Sequence, residues 1–364
     1  MFERAVCLNE ESVLKGYATA IVAGITGGWI FFLLQMPLPW MLGSLFGALI
    51  ASNIPGLYIV TPSKLASPVR MILGVAVGSA FTPALLDEAG KYLISLSLLL
   101  PFLVIIIWIG MQYFRKVAGI DSRTAFFCAL PGGLVELTLI CEAYGADMRR
   151  VALIQTTRVL LIIYTVPFAI HHWADVDLSG RSRMAAPLTE LPLDQGAILV
   201  VAAVAGWWMM RRLNLPGAAI VGPMLCSALV YISGWVTVRV PDELINLAQL
   251  VLGSSIGCAF MNISLRELTG TLMTTLGYYL ILMAVAMAMA FGVHQLTGTP
   301  LLATVLAYIP GGQAEMNVIG LMVGVAIPFI ALHHVVRMLL VMTVAPPLSS
   351  LLLGRDDSSV KEKI

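Results

Sequence analysis

Charge is what this 364-residue chain has least of. Asp, Glu, Lys and Arg make up 11% of it, against roughly 25% in an ordinary soluble domain. That scarcity excludes a solvated globular surface. A formal net charge of +1 leaves no basic stripe for nucleic acid, and no partner of strong charge is implied. Cysteine is sparse: Cys7, Cys128, Cys141, Cys226 and Cys258 form no CxxC pair, so neither a disulfide framework nor a metal knuckle is expected. The five histidines lack HxxxH and HxxE spacing and no His/Cys cluster accompanies them, so no metal and no cofactor is expected, and with them no enzyme. An ATP-binding motif is missing as well. Glu3, Glu10 and Glu11 occupy what would be the basic region of a signal peptide, so the first apolar segment reads as an uncleaved helix.

What the chain has is apolar length. Hydrophobic residues make up 59%, and mean hydropathy is +0.93. Apolar runs of about 15–25 residues follow one another, the pattern of an all-α polytopic membrane protein whose first partner is the lipid bilayer. The one clear polar linker, His171–Gln195, separates halves at 1–185 and 186–364. The halves align without a gap at an offset of 179: Trp29 with Trp208, Pro37 with Pro216, Pro62 with Pro241, and Gly74, Gly78 and Phe81 with Gly253, Gly257 and Phe260. This is an internal duplication, two membrane repeats of about six segments each, 10–12 transmembrane segments in all. In each copy the second segment is short and the fifth is interrupted. Six true spans per half would make the repeats parallel. Five, with one segment re-entrant, would make them inverted, as in many secondary transporters. With all twelve spanning and the N-terminus inside, Lys and Arg divide 13 to 6 across the membrane, which favours a cytoplasmic N-terminus. The bias fades in the second half, and inverted repeats are the favoured relation.

The interruption is Pro-Gly-Gly, Pro131–Gly132–Gly133 and Pro310–Gly311–Gly312. Proline removes a backbone donor and two glycines weaken the helix further. In hydrocarbon such backbone survives only where it is buried in protein or lines a watery cavity. Glu136 and Glu315 follow, then Arg158 and Arg337, all in apolar sequence. A carboxylate at bilayer depth costs roughly 2.5–3.5 kcal/mol, so such groups face an interior, a partner or a pathway. The acids suit proton or cation coupling; the planar arginines suit an anion. A structural ion pair between them is the competing reading. Gln155 and His334 are equivalent positions beside the arginines, and Thr138 and Asn317 follow the acids. His334 could relay protons. The paired GxxxG, Gly74–Gly78 and Gly253–Gly257, predicts close helix packing.

The combination of Pro131–Gly133, Tyr144-Gly145-Ala146-Asp147 and Arg158 resembles the AbrB family of duplicated bacterial membrane proteins, and the resemblance covers nearly the whole chain. The second half departs from it, reading Val323-Gly324-Val325-Ala326, which confines any acidic role of Asp147 to the first repeat. The resemblance implies a multi-pass bacterial inner-membrane protein, similar in architecture to cation/proton antiporters and anion transporters, with inverted repeats and crossed broken helices. One member is named for an effect on the expression of another gene. An ammonia monooxygenase label attached to the family finds no support, because copper or iron chemistry needs a His/carboxylate cluster.

The expectation is therefore an ion- or proton-coupled secondary transporter of a small, anionic metabolite, compatible with a homo-oligomer. A membrane sensor acting indirectly on gene expression is the alternative, and a membrane enzyme the least supported one. The site residues are expected to be Glu136, Glu315, Arg158, Arg337, Gly132, Gly133, Gly311, Gly312, His334, Gln155, Asn317 and Thr138.

Overall fold

The structure is a computed structural model that describes residues 10–83, 88–132, 137, 141, 144–173, 178–179, 187–261, 263 and 265–353. Among these residues the regular secondary structure is all helical. In the first half, α1 (Glu10–Leu33) is followed by a π-helical turn (Pro39–Gly43) leading into α2 (Ser44–Ala51), then α3 (Ser63–Gly78), α4 (Ala89–Lys116), α5 (Ser122–Ala129) and α6 (Met148–Trp173). The second half gives α7 (Leu193–Arg212), α8 (Ala218–Ile232), α9 (Asp242–Cys258), α10 (Leu265–Thr297), α11 (Leu301–Tyr308), α12 (Gln313–Val323) and α13 (Ile327–Leu353). The duplication is visible in the backbone: α5 and α11 begin and end 179 residues apart, as do the starts of α3 and α9 and of α6 and α13. Gln35 and Asn214, at the same offset, both adopt positive φ, at 55° and 50°.

Six helices are long and apolar enough to cross a bilayer, and they fall in three repeat pairs: α1 with α7, α4 with α10, and α6 with α13. Their outward faces carry large apolar side chains, among them the paired Trp29 and Trp208, both more than half exposed. Such surface belongs in lipid. The protein is thus a multi-pass, all-α membrane protein. The 8-residue α5 and α11 and the 11-residue α12 would each rise less than about 17 Å, short of the roughly 30 Å hydrocarbon core.

The chain condenses into two compact units, and neither coincides with a half. One comprises Met1–Ser79, Tyr164–Met209 and Ala219–Ser264; the other comprises Ala80–Ile163, Met210–Ala218 and Leu265–Ile364. Each draws on both repeats. In the first unit the GxxxG pairs form close contacts, and they form them across the duplication. A Cβ on Gly74 or Gly78 of α3 would overlap backbone or serine atoms of α8 at Ile220 and Ser227, and one on Gly253 or Gly257 of α9 would overlap the carbonyls of Met41 and Leu45 beside and within α2. Helices meet this closely in a membrane only where the side chain is a hydrogen.

In the second unit the twins α4 and α10 pack on each other with opposite directions. Ile120, just past the end of α4, lines one cavity with Glu267 and Thr271 from the first turns of α10. The Tyr278 hydroxyl donates to the Ile106 carbonyl at 3.1 Å, whereas Tyr113, further along α4, donates to Thr274, earlier on α10, at 3.0 Å. Position rises on one helix as it falls on the other, so within this unit the repeats are inverted.

Candidate functional site

The site lies in the second unit, where the fifth segment breaks. A helix should stop at the residue before a proline, because proline's ring pushes its predecessor out of the helical region. Leu130, before Pro131, is extended at φ −65° and ψ 129°; Ile309, before Pro310, at φ −61° and ψ 121°. Each stop leaves the last carbonyls of α5 and α11 without intrahelical donors. In apolar surroundings they need partners.

The two arginines and their neighbours are those partners, in matching fashion. Arg158 Nη1 donates to the Leu130 carbonyl at 3.2 Å, its Nη2 donates to Gln155 Oε1, and Gln155 Nε2 donates to the carbonyls of Phe127 (2.9 Å) and Leu130 (2.8 Å). In the other repeat Arg337 Nη1 donates to the Ile309 carbonyl at 3.1 Å, its Nη2 to Gly311 (2.8 Å) and to His334 Nδ1 (2.8 Å), and His334 Nε2 lies 3.0 Å from the Leu306 carbonyl. Every one of these first-repeat partners is its second-repeat counterpart shifted by 179, apart from the extra bonds to Leu130 and Gly311. The substitution of His334 for Gln155 keeps the chemistry: one atom accepts from arginine and one donates to the helix end. An arginine cannot accept, so His334 Nδ1 is bare and Nε2 carries the proton; the hydrogen bonds assign this tautomer. Arg158, Gln155, His334 and Arg337 are all buried. Gly132 sits against Val341, one turn beyond Arg337 on α13.

Asn317 is buried on α12 with neither amide atom hydrogen-bonded, and the Nε of Arg158 and the Nε2 of Gln313 also lack partners. Buried polar atoms in this state call for a water, an ion or a ligand. Glu315 is buried in the first turn of α12, where the helix dipole favours an acid. Its carboxylate folds back over Gly312 so closely that a Cβ there would overlap it. Gly311 carries the carbonyl that Arg337 holds. Glu136, Gly133 and Thr138 lie outside the described residues.

Sequence reasoning missed three participants. The Tyr278 hydroxyl reaches the Ala129 carbonyl at the end of α5 at 3.3 Å. The Tyr308 hydroxyl donates to the Ser95 carbonyl at 2.6 Å, and Ser95 Oγ lies 2.7 Å from His333 Nε2. His333 Nδ1 is 2.7 Å from the Phe329 carbonyl and must be the protonated nitrogen, so Ser95 donates to Nε2. The counterparts of the three across the repeat are Leu99, Ala129 and Thr274, and that of His333 is Ile154, so the duplication carried no signal for them. Asp147 acts locally: its Oδ1 accepts the Arg150 amide at 3.0 Å at the start of α6, and its own amide donates to Thr124. Among the described residues no three His, Cys, Asp or Glu come together as a metal site.

The chain is 26% identical over 364 aligned residues, 94% of each chain, to "Uncharacterized protein YhjN" of Bacillus subtilis (strain 168). It is 25% identical over 294 residues, 79% of this chain and 82% of the other, to "Putative regulator AbrB" of Escherichia coli (strain K12). The family described as "Transition state regulatory protein AbrB" matches residues 40–353, both broken segments and both arginines included, and the chain belongs to that family.

Proposed function

We propose that this protein is an ion- or proton-coupled secondary transporter of a small anionic metabolite in a bacterial inner membrane. The observation that carries the reading is the pair of matched half-sites: two helices broken in apolar surroundings, each end held by a buried arginine, with Arg158 Nε and both amide atoms of Asn317 left without partners. Broken helices at a repeat interface are where secondary transporters place substrate and coupling ion. Arg158 and Arg337 hold the helix ends with some N–H groups and offer the rest to an anion. Glu315, and Glu136 by the duplication, supply the coupling charge. On this reading the protein is a carrier and not an enzyme.

The test begins with a thermal-shift screen of purified protein against phosphate, sulfate and a panel of mono- and dicarboxylates. Proteoliposome flux of any stabilising anion follows. Glu315→Gln should abolish coupled flux while the protein still folds; unchanged flux removes the coupling role. The name of the Escherichia coli relative favours a second reading, a membrane regulator that binds a ligand without turnover. A bound anion that stabilises the protein and is never transported would decide for it.

A further inference from the structure

The cavity beside Ile120 has a twin that is filled. The cavity, about 510 Å³, is lined by Asp147, Arg149 and Arg150 at the start of α6 and by Glu267, Thr271 and Thr274 on α10. Arg149 Nη2 and Glu267 Oε2 pair at 2.9 Å across its edge. Its floor is one helical turn from the site. Ile154 precedes Arg158 by four residues, and Thr274 precedes Tyr278 by four, each about 6 Å of rise. Subtracting or adding 179 turns Thr271 into Tyr92, Thr274 into Ser95, Arg150 into Phe329 and Ile154 into His333.

At those positions the side chains pack against one another. The Tyr92 ring packs edge-on against Phe329 at 5.3 Å, Phe329 lies on the His333 ring at 4.1 Å, and His333 is hydrogen-bonded to Ser95. Phe329, His333 and Ser95 are fully buried. Because α4 and α10 are antiparallel, the cavity and its filled twin stand at opposite ends of these helices. The 28 residues of α4 would cover about 42 Å, more than the hydrocarbon core, so the two ends belong to opposite membrane faces. Arg115, Lys116, Arg123, Arg149, Arg150 and Arg266 gather at the cavity's end, against Lys91 at the other. By the distribution of positive charge the cavity's end is cytoplasmic.

We infer that these are two access routes to one buried site, an open polar vestibule on the cytoplasmic face and a twin closed by Tyr92 and Phe329, which form a gate on the opposite face. The inference rests on the transport reading and assigns it a state: the structure is open inward. The polar lining of the vestibule admits a hydrated anion; the aromatic pair excludes one. Opening the far route requires the Phe329 ring to leave His333 and Tyr92.

Paired cysteines test this without any substrate. Thr274→Cys and Ser95→Cys occupy equivalent floors, and their reaction with a charged, membrane-impermeant maleimide is followed in inside-out vesicles and in intact spheroplasts, with the labelling of the natural chain subtracted. Thr274→Cys should label in inside-out vesicles at least about tenfold faster than Ser95→Cys labels from either face. Adding Phe329→Ala should expose Ser95→Cys in spheroplasts. Should that variant not fold, Tyr92→Thr, which places there the residue of the open twin, serves instead. Equal rates with the gate intact, no gain on removing the ring, or labelling of both floors from one face would each overturn the gate. Failure of flux with this asymmetry intact would remove the transport reading and leave two routes of unequal openness.

Discussion

The exchange of glutamine for histidine beside the two arginines makes a quantitative prediction at His334. The ring does two things: Nδ1 accepts from Arg337 Nη2 at 2.8 Å, and Nε2 donates to Leu306 at 3.0 Å. Leucine at this position would delete both bonds and leave a cationic N–H and a helix-end carbonyl in a fully buried setting. A lost bond to a charged group is worth about 1.5–3 kcal/mol and an orphaned neutral group about 1–3 kcal/mol. Arg337 Nη2 keeps its bond to Gly311, which lowers the first figure toward its lower limit. His334→Leu should therefore destabilise by about 2.5–4.5 kcal/mol. His334→Gln, which installs the residue that performs the same two bonds at position 155, should cost less than about 1.5 kcal/mol. Equilibrium unfolding in mixed detergent micelles, titrated with SDS and followed by tryptophan fluorescence, measures both. If glutamine destabilises as much as leucine, the two-bond account of His334 is wrong.

Two further predictions use the same measurement. Gly253→Leu would drive a side chain into the Met41 carbonyl and should abolish folding, whereas Gly292→Ala, with nothing within 4 Å of the added carbon, should be neutral or stabilise by up to about 1 kcal/mol. Asp121 caps α5, accepting from the amides of Arg123 and Thr124, both at 3.0 Å. Partial burial works to raise its pKa, but hydrogen bonds from the Thr124 hydroxyl and those amides outweigh it and hold the carboxyl below its usual range. A depressed acid contributes stability above its unfolded pKa, about 3.9, and loses it as pH falls through the lower folded value. Asp121→Ala should therefore cost about 0.5–2 kcal/mol near neutrality and flatten the loss of stability at acid pH; an unchanged acid limb would refute the assignment.

Much of this fold could be read from sequence because apolar length and proline position act locally. The break at Pro310 is a steric matter between neighbours, and its place follows from the residue alone. The close approach at Gly74 and Gly253 was legible as spacing, but their partners were not, since α3 seeks α8 and α9 seeks α2 across more than a hundred residues. The arginines were legible as buried cations. That they hold backbone carbonyls at the helix ends was not, because a main-chain acceptor leaves no mark in the residue alphabet. Ser95, Tyr308 and Tyr278 escaped for another reason: each is an ordinary hydroxyl in an apolar run, and only its placement gives it a role.

The exchanged glycine contacts have a consequence for synthesis. α2 and α3 are synthesised before the α8 and α9 surfaces they fit, so in a chain inserted as it is made they must wait, unmatched, until the second copy arrives. A single copy could make such contacts only with a second copy, α3 of each against the α2 region of the other, a self-complementary pairing. Carrying both copies on one chain makes that pairing independent of protein concentration and leaves the copies free to differ, as Phe329 and Arg150 do.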